Sequence, residues 1–209
     1  MIHHLLLDLD STLYSITYGL EDAFFERLKE FVSSLLGLTW EEWEPLWREA
    51  MKRYGTTLEW LGSEKGFTDR DKFLSFVHPE NEADCLKPDP ELRKFLTELP
   101  CPCSVLTNSP GFHAERIIKK LELEGVFQRV FDIESNGFRG KPHASAFNRA
   151  LDALGRKAEE VLFVDDAPRY VSGYLALGGR GLLLDELDEH KNYPHEKIKS
   201  LKELRRFLG

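Results

Sequence analysis

Short apolar runs punctuate the chain, and several of them end in polar or charged residues. Leu5–Leu7, Ser104–Leu106, Val130–Ile133, Val161–Val164 and Gly181–Leu184 each read as a buried strand. Between most of them, apolar residues recur at helical spacing, over Ala114–Leu123, Ala144–Leu154 and Val171–Leu177. Gly125, Gly155 and Gly178-Gly179 follow as stop signals. Strands that alternate with helices predict an α/β fold built on a parallel sheet. Lys197–Leu208 reads as a closing amphipathic helix.

One interval breaks the alternation. Between Leu7 and Ser104 the chain holds helical patterns and no convincing strand. Glu21–Leu36 is one such helix, closed by Gly37. Thr39 with Glu42 has capping-box spacing, and Thr68 with Asp71 repeats it before Phe73–Val77. Asp89-Pro90 opens a further helix with proline at the tolerated first position, and this helix returns to the core. The expected organisation is therefore a core of residues 1–14 and 87–209, with a helical insert over 15–86.

Composition narrows the functional classes. A chain of 209 residues can bury a substantial core, and one or two domains is the expectation. A net charge of −8 without a basic stripe argues against nucleic-acid binding. No apolar segment is long enough to span a membrane, and Met1–His4 lacks the charged start of a secretory signal. Cys85, Cys101 and Cys103 form neither a disulfide framework nor a metal-ligand spacing, which suggests reduced thiols and a cytoplasmic protein.

The strand ends carry the chemistry. In open α/β sheets, ligands bind beyond the carboxyl ends of the strands. The first strand ends in Asp8 and Asp10, which share a side of extended chain. The Ser104 strand ends in Thr107-Asn108-Ser109 and the Val161 strand in Asp165-Asp166, while Gly140-Lys141-Pro142 precedes the Ala144 helix. Each piece alone has an ordinary reading: a helix cap, a turn or an unremarkable loop. Together, four carboxylates in one cleft call for a hard cation with oxygen ligands, most simply Mg²⁺. The hydroxyl, amide and ammonium donors beside them suit the oxygens of a phosphate.

Asp8-Leu9-Asp10-Ser11-Thr12, Thr107-Asn108, Lys141-Pro142 and Asp165-Asp166 resemble the four motifs of the haloacid dehalogenase superfamily, over nearly the whole chain. The helical insert resembles its type-1 cap. Within the superfamily, Asp8–Tyr14, Tyr54–Leu58, Phe76–His78, Leu86–Pro90, Leu106–Asn108 and His113-Ala114 are similar to the pyrimidine 5′-nucleotidase-like branch. The resemblance implies a Rossmann-like parallel sheet flanked by helices with an all-helical cap after the first strand. It implies that Asp8 attacks phosphorus, and that Asp10 protonates the leaving oxygen and then takes a proton from water. Asp8, the Asp10 carbonyl and Asp166 would hold Mg²⁺, with Asp165 reaching it through water. Thr107, Asn108 and Lys141 would hold the phosphoryl oxygens. Neighbouring like charges are expected to raise the Asp10 pKa. Dehalogenases of this superfamily lack the second aspartate, so Asp10 favours phosphoryl transfer.

Two departures from the pattern stand out. Ser11 replaces the usual Asn or Gly, and Ala167-Pro168-Arg169-Tyr170 lacks the Ser and Asn common in the branch. For specificity, the loop Tyr54, Gly55, Thr56 and Thr57, with the adjacent Trp60, is expected to reach the leaving group, while Trp40, Trp43 and Trp47 read as core and His113 as structural. The expectation is a Mg²⁺-dependent phosphatase for a small phosphorylated metabolite, first a nucleoside 5′-monophosphate, working as a monomer or homodimer. A sugar-phosphate or phosphoglycolate phosphatase or a phosphomutase is the alternative. A non-catalytic interaction protein that keeps the fold is a third reading.

Overall fold

The computed structural model describes residues 1–208. Six parallel strands form one sheet in the order β3-β2-β1-β4-β5-β6. They are β1 (His4–Leu7), β2 (Cys103–Leu106), β3 (Val130–Phe131), β4 (Val161–Asp165), β5 (Arg180–Leu184) and β6 (Lys197–Ile198). Every residue of β1, β2 and β4 is buried, as expected of strands covered on both faces. The covering helices are α5 (Pro90–Thr97), α6 (Gly111–Lys120), α7 (Ala144–Leu154) and α8 (Pro168–Leu175).

Register, more than composition, positions the site. Leu7 lies beside Val105 on one side and Val164 on the other. Continuing those ladders by one residue places Asp8 level with Asp165. The Asp8 N–H donates to the Val164 carbonyl at 2.8 Å, which fixes that level.

Between β1 and β2 stand α1 (Leu20–Leu36), α2 (Trp40–Ala50), α3 (Thr57–Lys65) and α4 (Arg70–Val77). They pack around their own apolar centre, which includes Phe31, Trp43, Trp60, Leu61 and Phe73. Leu20 at the entry to these helices and Ala83 and Leu86 at the exit pack with the sheet-side core instead. We refer to α1–α4 as the cap. Among the described residues no helix is long and apolar enough to cross a membrane.

Local signals explain most boundaries. Thr39 and Glu42 form the capping box, with the Thr39 N–H donating to Glu42 at 2.7 Å. Asp89 accepts from the Leu92 N–H at 2.9 Å, and Pro90 occupies the first turn. Two expectations fail. The cap of α4 is Asp69, which accepts from the Lys72 N–H at 3.2 Å, and not Thr68. The closing segment is a short edge strand followed by a 3₁₀ turn over Leu201–Phe207, and not an α-helix. Ser200 adopts an extended conformation and caps that turn, and Leu201 and Leu204 are buried three residues apart, the period of a 3₁₀ helix.

Candidate active site

The C-terminal strand ends open into a cavity of about 570 Å³ between the sheet and the cap. Its floor carries Asp8, Asp10, Thr107, Asn108, Lys141 and Asp166. These six sequence-predicted residues lie together here, and Asp165 is fully buried beside them. Ligand oxygens of Asp8, Asp165 and Asp166 lie within 4.8 Å of one another.

Lys141 is the counter-charge. Its side chain is only 1% exposed, and Nζ donates to Asp8 at 2.7 Å and to Asp165 at 2.6 Å. Burial alone would lower the Lys141 pKa, but Asp165 and Asp8 hold it above its usual value. Aromatic faces box in the same ammonium, Tyr170 at 5.0 Å and Phe163 at 5.5 Å. Asp165 also accepts from the Ala167 N–H at 2.8 Å. The Asp166 carboxylate accepts no hydrogen bond among the described residues.

Three carboxylates against one ammonium leave an excess of negative charge. Burial, the Asp165 charge and the nearby Asp10 push the Asp8 pKa up to about 8, although Lys141 opposes the shift. Burial with the Asp165, Asp8 and Glu21 charges pushes Asp166 up to about 9. An all-oxygen donor set with surplus negative charge fits a hard divalent cation. Asp8 and Asp166 are the residues that would hold Mg²⁺, and the paired Asp165 would support them from below.

Asp10 departs from the expectation. Oδ1 accepts from Tyr14 and from His113 Nε2, and Oδ2 accepts from Ser109, each at 2.7 Å. Burial would raise its pKa, but the His113 charge and these hydrogen bonds outweigh burial and hold Asp10 well below the usual carboxylate range. The anticipated upward shift is therefore reversed, because His113 and not the neighbouring carboxylates dominates. His113, read from sequence as structural, joins the site directly.

Asn108 also works differently from a simple phosphate donor. Its Nδ2 donates to the Lys141 carbonyl at 2.9 Å, and its Oδ1 accepts from the Lys141 N–H at 2.7 Å. The side chain thus fixes the loop that carries the ammonium. Gly140 permits this approach, since a Cβ there would sit 2.1 Å from Asn108 Oδ1. Thr107 Oγ1 accepts from the Ser109 N–H at 3.0 Å, which leaves its own O–H uncommitted. Ser11 has φ +52°, in the left-handed region, which gives a physical reason for Asn or Gly at this position.

The cap contributes a different kind of wall. Phe24, Phe25, Leu28, Trp47, Met51, Leu58, Phe73 and Leu74 line the cavity above the carboxylates, and Gly55, Thr56 and Thr57 complete it. Two expected contacts are corrected. Trp60 is fully buried inside the cap and donates to Glu64 at 3.0 Å. The Tyr54 hydroxyl donates to Glu64 at 3.1 Å, and Tyr54 does not line the cavity. Trp47, expected in the core, lines the cavity, with its indole N–H donating to Thr57 Oγ1 at 2.8 Å. The altered stretch after Asp166 seats the loop: Arg169 donates to the carbonyls of Met51, Tyr54 and Gly55 at 3.0, 3.1 and 2.7 Å.

The site therefore combines an α/β sheet with an acidic floor, a buried lysine and a helical cap. Residues 2–178 match the haloacid dehalogenase-like hydrolase family, and the chain belongs to that family. It is 27% identical over 181 residues to the glyceraldehyde 3-phosphate phosphatase of Methanocaldococcus jannaschii, a match covering 79% of this chain and 77% of the relative. It is 28% identical over 118 residues to haloacetate dehalogenase H-2 of Moraxella sp., covering 52% of each chain. In fold it resembles the L-2-haloacid dehalogenase of Xanthobacter autotrophicus, with a TM-score of 0.64 at 20% identity over 99% and 98% of the two chains. It also resembles a HAD phosphatase from Thermococcus onnurineus, with a TM-score of 0.62 at 20% identity over 100% and 98%. These similarities support the superfamily and leave the pyrimidine nucleotidase-like branch unsupported.

Proposed function

We propose that this hydrolase cleaves a small phosphomonoester, with Asp8 as nucleophile and Asp10 as proton carrier. The observation that carries the reading is Asp10, held by three hydrogen bonds beside the cavity, where carbon–halogen cleavage needs no proton carrier. The phosphatase relative from Methanocaldococcus jannaschii agrees with it.

In this reading Asp8 attacks phosphorus, the phosphorus–oxygen bond to the leaving group breaks, and an aspartyl-phosphate forms. The leaving oxygen takes the proton shared along the His113–Asp10 hydrogen bond. Asp10 then removes a proton from the water that cleaves the aspartyl-phosphate, which restores the pair. The depressed Asp10 pKa keeps the carboxylate ionised, and so able to accept a proton, at this second step. Lys141 opposes the negative charge of Asp8 and the phosphoryl oxygens, and the Thr107 O–H supplies a donor. Bound Mg²⁺ would supply charge neutralisation for the carboxylates and the phosphoryl group.

For the leaving group, a nucleoside is our first choice. Phe24, Phe25 and Trp47 offer flat apolar faces, and the cavity volume falls in the range of small-ligand sites. Glu21, Asp22, Thr56, Thr57 and Arg169 also line the cavity, and would serve the ribose hydroxyls of a nucleotide or the polar groups of a sugar or triose ester. The test is phosphate release from an aryl phosphate with Mg²⁺, beside Asp8→Asn. Equal rates would reject the nucleophile. A panel of esters follows, and a preference for sugar phosphates over nucleoside monophosphates would reject the leaving group.

A further inference from the structure

Asp10 is the end of a chain of buried charges that begins in the cap. His113, 3% exposed, donates through Nε2 to Asp10 and through Nδ1 to Glu82 Oε1, both at 2.7 Å. Both ring nitrogens face carboxylates, so both act as donors. The Glu82 side chain is 4% exposed and lies on the segment that returns from the cap to the core. Its Oε2 meets His78 Nδ1 at 2.9 Å, at the end of α4, and lies 3.9 Å from Arg27 Nη2 on α1. Arg116 on α6 donates to Glu82 Oε1 and to the Pro79 carbonyl.

The lone-pair count gives this chain a purpose. A carboxylate offers about four acceptor positions. On Asp10, Tyr14 and His113 fill both positions on Oδ1, and Ser109 fills one on Oδ2. One position on Oδ2 remains for a reacting group, on a side chain that is 30% exposed to the cavity. A carboxylate held from three directions presents that position in one orientation. Without His113 a single hydrogen bond would remain on each oxygen, and the group would be held less firmly about its χ2 bond, which is a broad torsion.

We propose that His113 and Glu82 are positioning residues: Glu82, seated by the cap through His78 and Arg27, orients His113, which aims the Asp10 carboxylate at the leaving oxygen. The proposal rests on the phosphatase reading and goes beyond it. It ties correct seating of the cap to proton transfer at a carboxylate outside the cap.

The test compares kcat/KM, which reports the steps up to the aspartyl-phosphate, on two esters. One is an alkyl phosphate, whose leaving oxygen needs a proton. The other is 4-nitrophenyl phosphate, whose leaving group departs without one. His113→Ala is expected to lose at least about 10-fold more on the alkyl than on the aryl ester, since a proton carrier contributes about 10²–10⁴-fold. His113→Gln, which keeps a donor toward Asp10, is expected to restore part of that difference, and Glu82→Gln to show a smaller loss of the same kind. Equal losses on both esters in His113→Ala and Glu82→Gln would overturn the proposal, since a merely structural role damages both alike. If His113→Ala fails to fold, the Glu82→Gln ratio decides alone. If the unaltered protein releases phosphate from neither ester, the phosphatase reading falls and takes this proposal with it.

Discussion

Two clusters in this protein offer metal-ligating atoms at similar spacing, and they differ in charge. Asp8, Asp165 and Asp166 at the sheet face a single ammonium. His78, Glu82 and His113, at the joint between cap and core, surround one carboxylate with imidazoles and guanidinium groups. The first is left with surplus negative charge and calls for a cation. In the second, Glu82 is paired with His78, His113 and Arg116, and both ring nitrogens of His113 meet carboxylates. Distances between ligand atoms therefore do not identify a metal site. The residual charge after local pairing decides it.

The sharpest way to break this contrast is at the floor. Asp8→Asn is expected to lower kcat by at least about 10³-fold, as loss of a nucleophile does, with the fold kept. Phosphate release measures it, and near-normal turnover would remove the nucleophile.

At the second cluster, Glu82→Ala is expected to cost about 3 kcal/mol of stability by leaving buried cations unpaired. Chemical denaturation reads this. Mg²⁺ affinity, by titration calorimetry, should stay unchanged. A large fall in affinity would mean that the ion sits at the wrong cluster.

Acidity separates the two sites more gently. The folded-state pKa values of Asp8 and Asp166 are raised from 3.8 to about 8 and about 9. Such groups stabilise the metal-free fold fully below pH 3.8, and the contribution is lost as pH rises through those values. The metal-free Tm should therefore fall between pH 5 and pH 8, and Mg²⁺ should raise Tm more at pH 8 than at pH 5. Thermal melts at both values check this, and an ion effect larger at pH 5 would contradict it.

The Glu82 cluster behaves otherwise. Burial would raise Glu82, but His113 and His78 pull its pKa from 4.5 to about 2, so its contribution is present above pH 4.5 and fades as pH falls toward 2. Burial would lower His113, but Asp10 and Glu82 lift it from 6.5 to about 10, so its contribution is complete below pH 6.5 and is lost as pH rises toward 10. Both are fully present only between pH 4.5 and 6.5. The stability gap between the natural protein and Glu82→Gln should be widest there and narrow by pH 9. Denaturant titrations across pH would expose a gap that widens instead.

The same contrast explains what the sequence disclosed. The floor was legible because each of its residues ends a short apolar strand or sits in a compact motif, and parallel register brings such ends together. Glu82 lies in irregular chain and meets His113 across 31 positions, and His113 meets Asp10 across 103, so no local period marks either contact. The cap posed a finer problem. Trp43 and Trp47 share a helical face, yet Trp43 is fully buried in the cap and Trp47 lines the cavity. One turn of helix decides that difference, and only the tertiary placement of α2 within the cap sets it. The closing segment was misjudged because Leu201 and Leu204 fit both 3₁₀ and α spacing, and Leu208 then extends an α pattern.

Gly55 carries a last consequence. A methyl group at this position would lie 2.7 Å from the Lys141 carbonyl, on the chain that delivers the ammonium to Asp8. The gap between the cap loop and the floor is here less than one carbon wide. Alanine there would act as a wedge between the cap loop and the Lys141 segment, so a single hydrogen atom sets how closely the two seat.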